Sequence, residues 1–281
     1  MDMKLGLQLF SVRASLERDA VGTLEQIATI GYTHLQPAVH TAEGTDHVAG
    51  PMGAAELRRR LDAFGMDVQS VHARVDERTD WDRLVALNHE LGSAAVVVPI
   101  AFFTDRASAV AYAGRLNRHG DACRKHGLRF YYHNHFHEFQ VLDGQTVMDL
   151  LLEHTDPDLV SFELDTYWAA RGGADPAAWL EKLRGRCDLV HQKDLPASAR
   201  PVNWFDAFGN DAPITMRELL QTQRPEQFAE IGEGTMDVAG LVAAMRRAGV
   251  AYVFVEQDMT ARDEIESVRI SHRNMVELLK R

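Results

Sequence analysis

Cysteine is scarce. The only two, Cys123 and Cys187, lie far apart and form no CxxC pair. That excludes a disulfide framework or a cysteine-rich zinc fold, and both read as free thiols of a reducing compartment. Positive charge is short as well: 30 Lys and Arg stand against 41 Asp and Glu, a formal net charge of −11. Nucleic acid is therefore a poor partner, because phosphate binding needs a basic surface. No uninterrupted apolar run approaches the ~20 residues that span a bilayer. The start, Met1-Asp2-Met3-Lys4, lacks the basic head and apolar stretch of a signal peptide. The expectation is a cytoplasmic protein with no membrane partner. The chain also contains no GxGxxG, no P-loop and no GxSxG elbow, and His89-Glu90 lacks the second His of an HExxH motif. Dinucleotide redox chemistry, phosphoryl transfer from ATP and serine hydrolysis all lose ground.

What is present is an alternation of two periods. Apolar runs at 4–9, 33–36, 67–72, 95–99, 128–133, 159–165, 188–191 and 252–256 read as short buried strands. Between them apolar residues recur at helical spacing, as in Trp81, Leu84, Leu87 and Leu91, or Val238, Leu241, Val242 and Met245. Further helices are expected at 19–30, 54–64, 107–126, 146–154 and 176–184. Gly31, Gly65, Gly92, Gly127 and Gly249 fall at or near helix ends, where a left-handed residue is needed. Eight βα units in 281 residues predict one domain, 1–281, folded as a (β/α)8 TIM barrel. One stretch breaks the rhythm. After the seventh strand, about 194–228, the chain carries Pro196, Pro201, Pro213 and Pro225 with Trp204, Phe205 and Phe208 between them. A connection this long is either a cover over the mouth or a packing and contact excursion, and a homo-oligomer is compatible with the second.

Five strand-like runs end on residues able to ligate a metal: His72; His133-Asn134-His135; Glu163 and Asp165; His191-Gln192-Lys193; and Glu256-Gln257-Asp258. Parallel strands in a barrel deliver such endings to one mouth, where mixed oxygen and nitrogen ligands can hold a divalent ion. His133 and His135 share a strand face. Glu138 lies just beyond that strand and can fold back over it. Asp165 is either an inward carboxylate or a helix cap. Glu163 shares its parity, as a second inward carboxylate or an ion-pair partner. Lys193 can polarise a carbonyl, and Glu256 can both bind metal and move a proton.

These motifs resemble the sugar phosphate isomerase/epimerase family, the xylose-isomerase-like TIM barrels. The likeness runs from Leu5-Gly6-Leu7-Gln8-Leu9-Phe10-Ser11 through Tyr132-His133-Asn134-His135, Leu164-Asp165-Thr166-Tyr167-Trp168 and Val190-His191-Gln192-Lys193-Asp194 to Val255-Glu256-Gln257-Asp258. It implies a divalent metal, Mn or Mg first and Zn or Co next, on carboxylate and His ligands from strands five to eight. Asp165, His191 and Glu256 match that set. The strand-five ligand does not, because this chain has His133 there; either Glu138 reaches back to replace it, the choice a hard ion's preference for carboxylate oxygen favours, or His133 ligates directly. The implied reaction is isomerisation or epimerisation of a keto sugar or cyclic polyol through an enediolate. Glu256 moves one proton, His133 or His135 the other, and Lys193 assists at an oxygen. The alternative is a dehydratase or 3-keto-glycoside lyase using the same enolate.

Overall fold

The computed structural model describes residues 3–42 and 45–281. Met1 and Asp2, with which the expected domain begins, lie outside the described residues. Nine strands form one parallel sheet: β1 (Lys4–Gln8), β2 (His34–Gln36), β3 (Asp67–Val68), β4 (Val71–His72), β5 (Ala95–Val98), β6 (Arg129–His133), β7 (Ser161–Asp165), β8 (Leu189–Gln192) and β9 (Tyr252–Val255). They neighbour one another in the order β3-β2-β1-β9-β8-β7-β6-β5-β4. The third expected strand, 67–72, is therefore split. Its first piece pairs with β2 and its second with β5. The ring closes at this break: Gln69 N–H donates to Leu35 O, His72 N–H to Pro37 O and Val39 N–H to His72 O, at 3.2, 2.9 and 2.8 Å. The result is a (β/α)8 barrel with eight strand positions, one of them in two pieces.

The helices begin and end where the sequence signals them. α1 (Arg13–Arg18), α2 (Ala20–Ile30), α3 (Ala54–Phe64), α4 (Trp81–Leu91), α5 (Arg106–Lys125), α6 (Val147–His154), α7 (Thr166–Arg171) and α8 (Pro176–Lys182) surround the first strands, and α11 (Val238–Ala248) and α12 (Glu264–Leu279) complete the ring. Asp80, Asp105, Thr146 and Asp237 each accept a backbone N–H of the first turn. α4 and α11 end on Gly92 and Gly249 at φ of 70° and 87°, where a side chain would be strained.

Strand parity separates two cores. Outward residues such as Leu7, Val96, Tyr132, Leu164, Val190 and Val253 pack under the helices. Inward, Ala95, Val97, Tyr131, Leu189 and Phe254 form a small separate cluster plugging the barrel. Gly6 makes room for it, since a Cβ there would sit 2.4 Å from Phe254 Cδ1. The inward strand ends above this plug include His133, Asp165, His191 and Glu256, so the apolar layer is the floor of the candidate site.

The long connection after β8 is ordered by its own short helices, α9 (Phe205–Phe208) and α10 (Met216–Thr222). α10 starts at Met216, where Thr215 and Glu218 form a capping box. Arg171, fully buried, ties the connection down. Its guanidinium donates to Val202 O, Pro201 O and Gln227 Oε1 at 2.9, 2.8 and 2.9 Å and lies 4.4 Å from the Trp204 ring.

Candidate metal centre and substrate cavity

The register brings the strand-end residues into two layers. Glu163 on β7 is paired with His133 on β6, and Asp165 with His191 on β8. In the lower layer the Glu163 carboxylate, wholly buried, is the hub. Its Oε1 accepts from Gln36 Nε2 at 2.5 Å, and its Oε2 from His72 Nε2 at 2.6 Å, with His191 Nε2 at 3.2 Å. His133 Nδ1 stands 3.4 Å away, without a full hydrogen bond. In the upper layer Lys193 is the hub. Its Nζ lies 2.5 Å from Asp165 Oδ2, 2.6 Å from Glu256 Oε2 and 2.9 Å from Asp258 Oδ1. His191 joins the layers, with Nδ1 2.8 Å from Glu256 Oε2.

The charges are consistent with this packing. Burial opposes ionisation of Glu256, yet Lys193 and His191 hold it well below the usual carboxylate range. Burial also opposes charge on His191, but Glu163 and Glu256 overcome it and raise the ring to about 10. His133 goes the other way, pushed down to about 3 by burial in spite of Glu163. Burial likewise lowers His135 well below its ordinary value. Asp165 is raised to about 6 by burial, although Lys193 pulls against it.

The donor set fits a divalent ion. One ligand atom from each of His133, Asp165, His191 and Glu256 can be chosen so that all lie within 4.8 Å of one another, and the same holds for His72, His133, Glu163 and His191. Ligand bonds of ~2.0–2.6 Å to one ion span such a spacing. The first set has the two carboxylates a hard ion prefers, and Glu256 and His133 reach the cavity. In the second set the one carboxylate is already shared by a histidine and an amide.

The cavity above holds about 390 Å³ and is lined on its chemical side by His72, His133, His135, Glu256 and Asp258, with Gln8. Its other wall is apolar, formed by Phe10, Val39, Ile100 and Met216, the last reaching in from α10 of the long connection.

The structure thus brings His133, His135, Asp165, His191, Lys193 and Glu256 together. It does not bring Glu138, the expected fourth ligand. The chain turns into a short 3-10 segment, His137–Phe139. There the Glu138 carboxylate accepts from Tyr132 Oη and from the His135 N–H. His133 stands in the cluster instead. Lys193, expected to assist at a substrate oxygen, stands among carboxylates: its Nζ donates to Asp165 Oδ2 and lies within ion-pair distance of Glu256 and Asp258, so in this structure it is their counter-ion. Asp165 fulfils both readings, since its Oδ1 caps α7 by accepting from Trp168 N–H at 2.8 Å while Oδ2 faces Lys193. Gln36 was missed and His72 was not carried beyond its strand ending, because nothing in local spacing joins residues 91 and 127 positions away from Glu163.

Comparison with known proteins adds the lineage. A stretch of an inosose dehydratase from Geobacillus kaustophilus is 38% identical over 80 residues, 28% of this chain and 25% of that protein. An inosose dehydratase from Lactiplantibacillus plantarum is 28% identical over 181 residues, 61% of this chain and 54% of the relative. The chain thus spans about half or less of the length of these curated relatives. Among solved structures, a sugar phosphate isomerase/epimerase from Parabacteroides distasonis superposes with a TM-score of 0.75 at 24% identity, over 97% of this chain and 93% of that one. The IOLI protein with a bound zinc atom superposes at 0.71 and 14% identity, over 99% and 98%. At these identities the superpositions speak for the fold. The model of the xylose isomerase-like TIM barrel matches residues 24–272, and the chain belongs to that family.

Proposed function

We propose that this protein is a divalent-metal-dependent enzyme that breaks a C–H bond beside the carbonyl of a keto sugar or cyclic polyol. The observation that carries this is the convergence of His133, Asp165, His191 and Glu256 at the base of a cavity of about 390 Å³. These four residues would hold the ion, Mn or Mg first and Zn or Co next. A bound divalent ion supplies Lewis-acid polarisation of the carbonyl. Glu256 reaches the cavity with 7% of its surface exposed and is kept ionised by Lys193 and His191, so it is the base for the carbon-bound proton. His133 and His135 are held neutral by burial and line the same cavity. Arg74 is the one Lys or Arg among the lining residues, and Lys193 is spent on carboxylates. A neutral sugar suits this lining better than a phosphorylated one.

Isomerisation or epimerisation returns the proton to carbon. Elimination expels a β-substituent from the same enolate, and it is the second reading. It is favoured by His133 standing where a paired carboxylate base is expected, and by the resemblance to inosose dehydratases. The same proposal includes a single domain over 1–281, a small carbohydrate as partner in place of nucleic acid or membrane, a cytoplasmic location and a homo-oligomeric state. No helix among the described residues is long and apolar enough to cross a membrane.

The test is solvent exchange in D2O with a panel of keto sugars and inososes. Deuterium entering the substrate or product, or loss of water or an aglycone, supports the reading. Glu256→Gln is expected to lower the rate by about 10² to 10⁴. Turnover of a true substrate with neither exchange nor elimination points to hydride shift and defeats it.

A further inference from the structure

We infer that His72 is a second proton-transfer residue of the cavity that Glu256 also lines, and that Glu163 is its positioning residue. The assignment rests on the carbonyl chemistry proposed above. His72 is held by two neighbours. Its Nε2 donates to Glu163 Oε2 at 2.6 Å, and its ring stacks on His191 with centroids 5.3 Å apart and planes 5° from parallel. The ring nevertheless lines the cavity. Among the described residues Nδ1 has no hydrogen-bond partner, so it is the nitrogen left for a substrate. A carboxylate on one imidazole nitrogen and a reacting group on the other is the arrangement that fixes the tautomer and stabilises the imidazolium.

Position supports the role. The preferred ligand set, His133, Asp165, His191 and Glu256, comes from β6 to β9, whereas His72 ends β4, and the shorter way round the ring from β9 crosses the strand positions of β1 and β2. Proton transfer from Glu256 and from His72 thus approaches a bound ring from different sides. Glu256 takes the carbon-bound proton, and the C–H electron pair enters the enolate. In epimerisation, His72 Nδ1 gives its proton to the same carbon from the other side. In elimination, the C–O bond to the β-substituent breaks and His72 Nδ1 protonates the departing oxygen. In both cases the imidazolium becomes neutral imidazole with Nε2–H still on Glu163, and water restores the proton.

His72→Gln is the informative variant, because the amide nitrogen can keep the bond to Glu163 while nothing replaces Nδ1. In Mn-loaded protein we expect unchanged metal content and near wild-type deuterium wash-in at the carbon beside the carbonyl. Product formation should fall about 10² to 10⁴-fold, the usual loss for a missing general acid or base. Glu163→Gln, checked for folding by thermal unfolding, should weaken the same step. The double variant should be no slower than the slower single, as for residues acting as a unit. Product formation at the wild-type rate in His72→Gln overturns the assignment. Loss of metal from that variant overturns it too, by making His72 a ligand. Loss of wash-in together with product overturns it by moving the defect to the first step. Should His72→Gln not fold, the Glu163→Gln result decides by the same criteria. If the wild type itself exchanges no keto sugar, the underlying reading fails and this assignment with it.

Discussion

Tyr132 Oη donates to Glu138 Oε1 at 2.5 Å, and this bond holds the Glu138 carboxylate apart from the cluster of His133, Asp165, His191 and Glu256. The expected outcome is that Glu138→Gln retains the ion while His133→Ala loses it. Glu138→Ala should instead act on stability, since it strands a buried hydroxyl, a loss of about 1–3 kcal/mol. Metal analysis beside thermal unfolding of the three variants checks this. Metal loss in Glu138→Gln with retention in His133→Ala would restore Glu138 as the ligand.

Lys193 holds the two oxygens, Asp165 Oδ2 and Glu256 Oε2, that the proposed divalent ion would use. Lys193→Met leaves buried carboxylates uncompensated, so the metal-free variant should lose about 3–5 kcal/mol. Because an ion that binds only the folded state stabilises it, added Mn should raise the melting temperature of Lys193→Met more than that of the wild type. Equal rises in the two proteins would count against a shared site.

The metal-free protein should be most stable near neutral pH. His133 is depressed to about 3 in the folded protein, against ~6.5 unfolded. Its contribution is full above ~6.5 and is lost as pH falls towards 3. His191 is raised to about 10, so its contribution is full below ~6.5 and is lost as pH rises through about 10. Melting temperatures with chelator across this range should fall on both sides, and His133→Gln should flatten the acid side. An unchanged acid limb in that variant would show that other groups set it.

Gly6→Ala should disturb the floor of the site. A methyl group 2.4 Å from Phe254 Cδ1 and 2.9 Å from His34 O must displace the ring that plugs the barrel. Overpacking of this kind costs about 1–3 kcal/mol. The Phe254 ring also lies 6.1 Å from His191, so weaker metal affinity should accompany the loss. Wild-type stability would mean that the plug can yield.

Much of this was legible in the chain. The eight βα units follow from apolar period and glycine stops, and α3 falls at the expected 54–64. Asp165, His191 and Glu256 were readable because each directly ends an apolar run, where parity fixes which way it points. Glu138 was misplaced because it lies past the strand end, where a 3-10 turn sets direction and no period applies. The Glu163 layer was only half visible. Parity predicted an inward carboxylate, but its partners, Gln36 and His72, come from strands brought alongside by barrel closure alone. The gap in strand three at Gln69 and Ser70 is likewise a demand of closure that no local signal announces.

Arg171 gives the long connection a particular character. One guanidinium holds carbonyls at Pro201 and Val202 on one side and the Gln227 side chain on the other. The two ends of the excursion are thereby drawn to one side chain of the barrel. The segment between them is held as well: Gln140 Nε2 donates to Asn210 O and Ala212 O, and Trp204, Phe205, Ile214 and Leu219 are buried. A change confined to Met216, 40% exposed on a segment so held, would reshape one wall of the cavity and leave the strand-end groups in register.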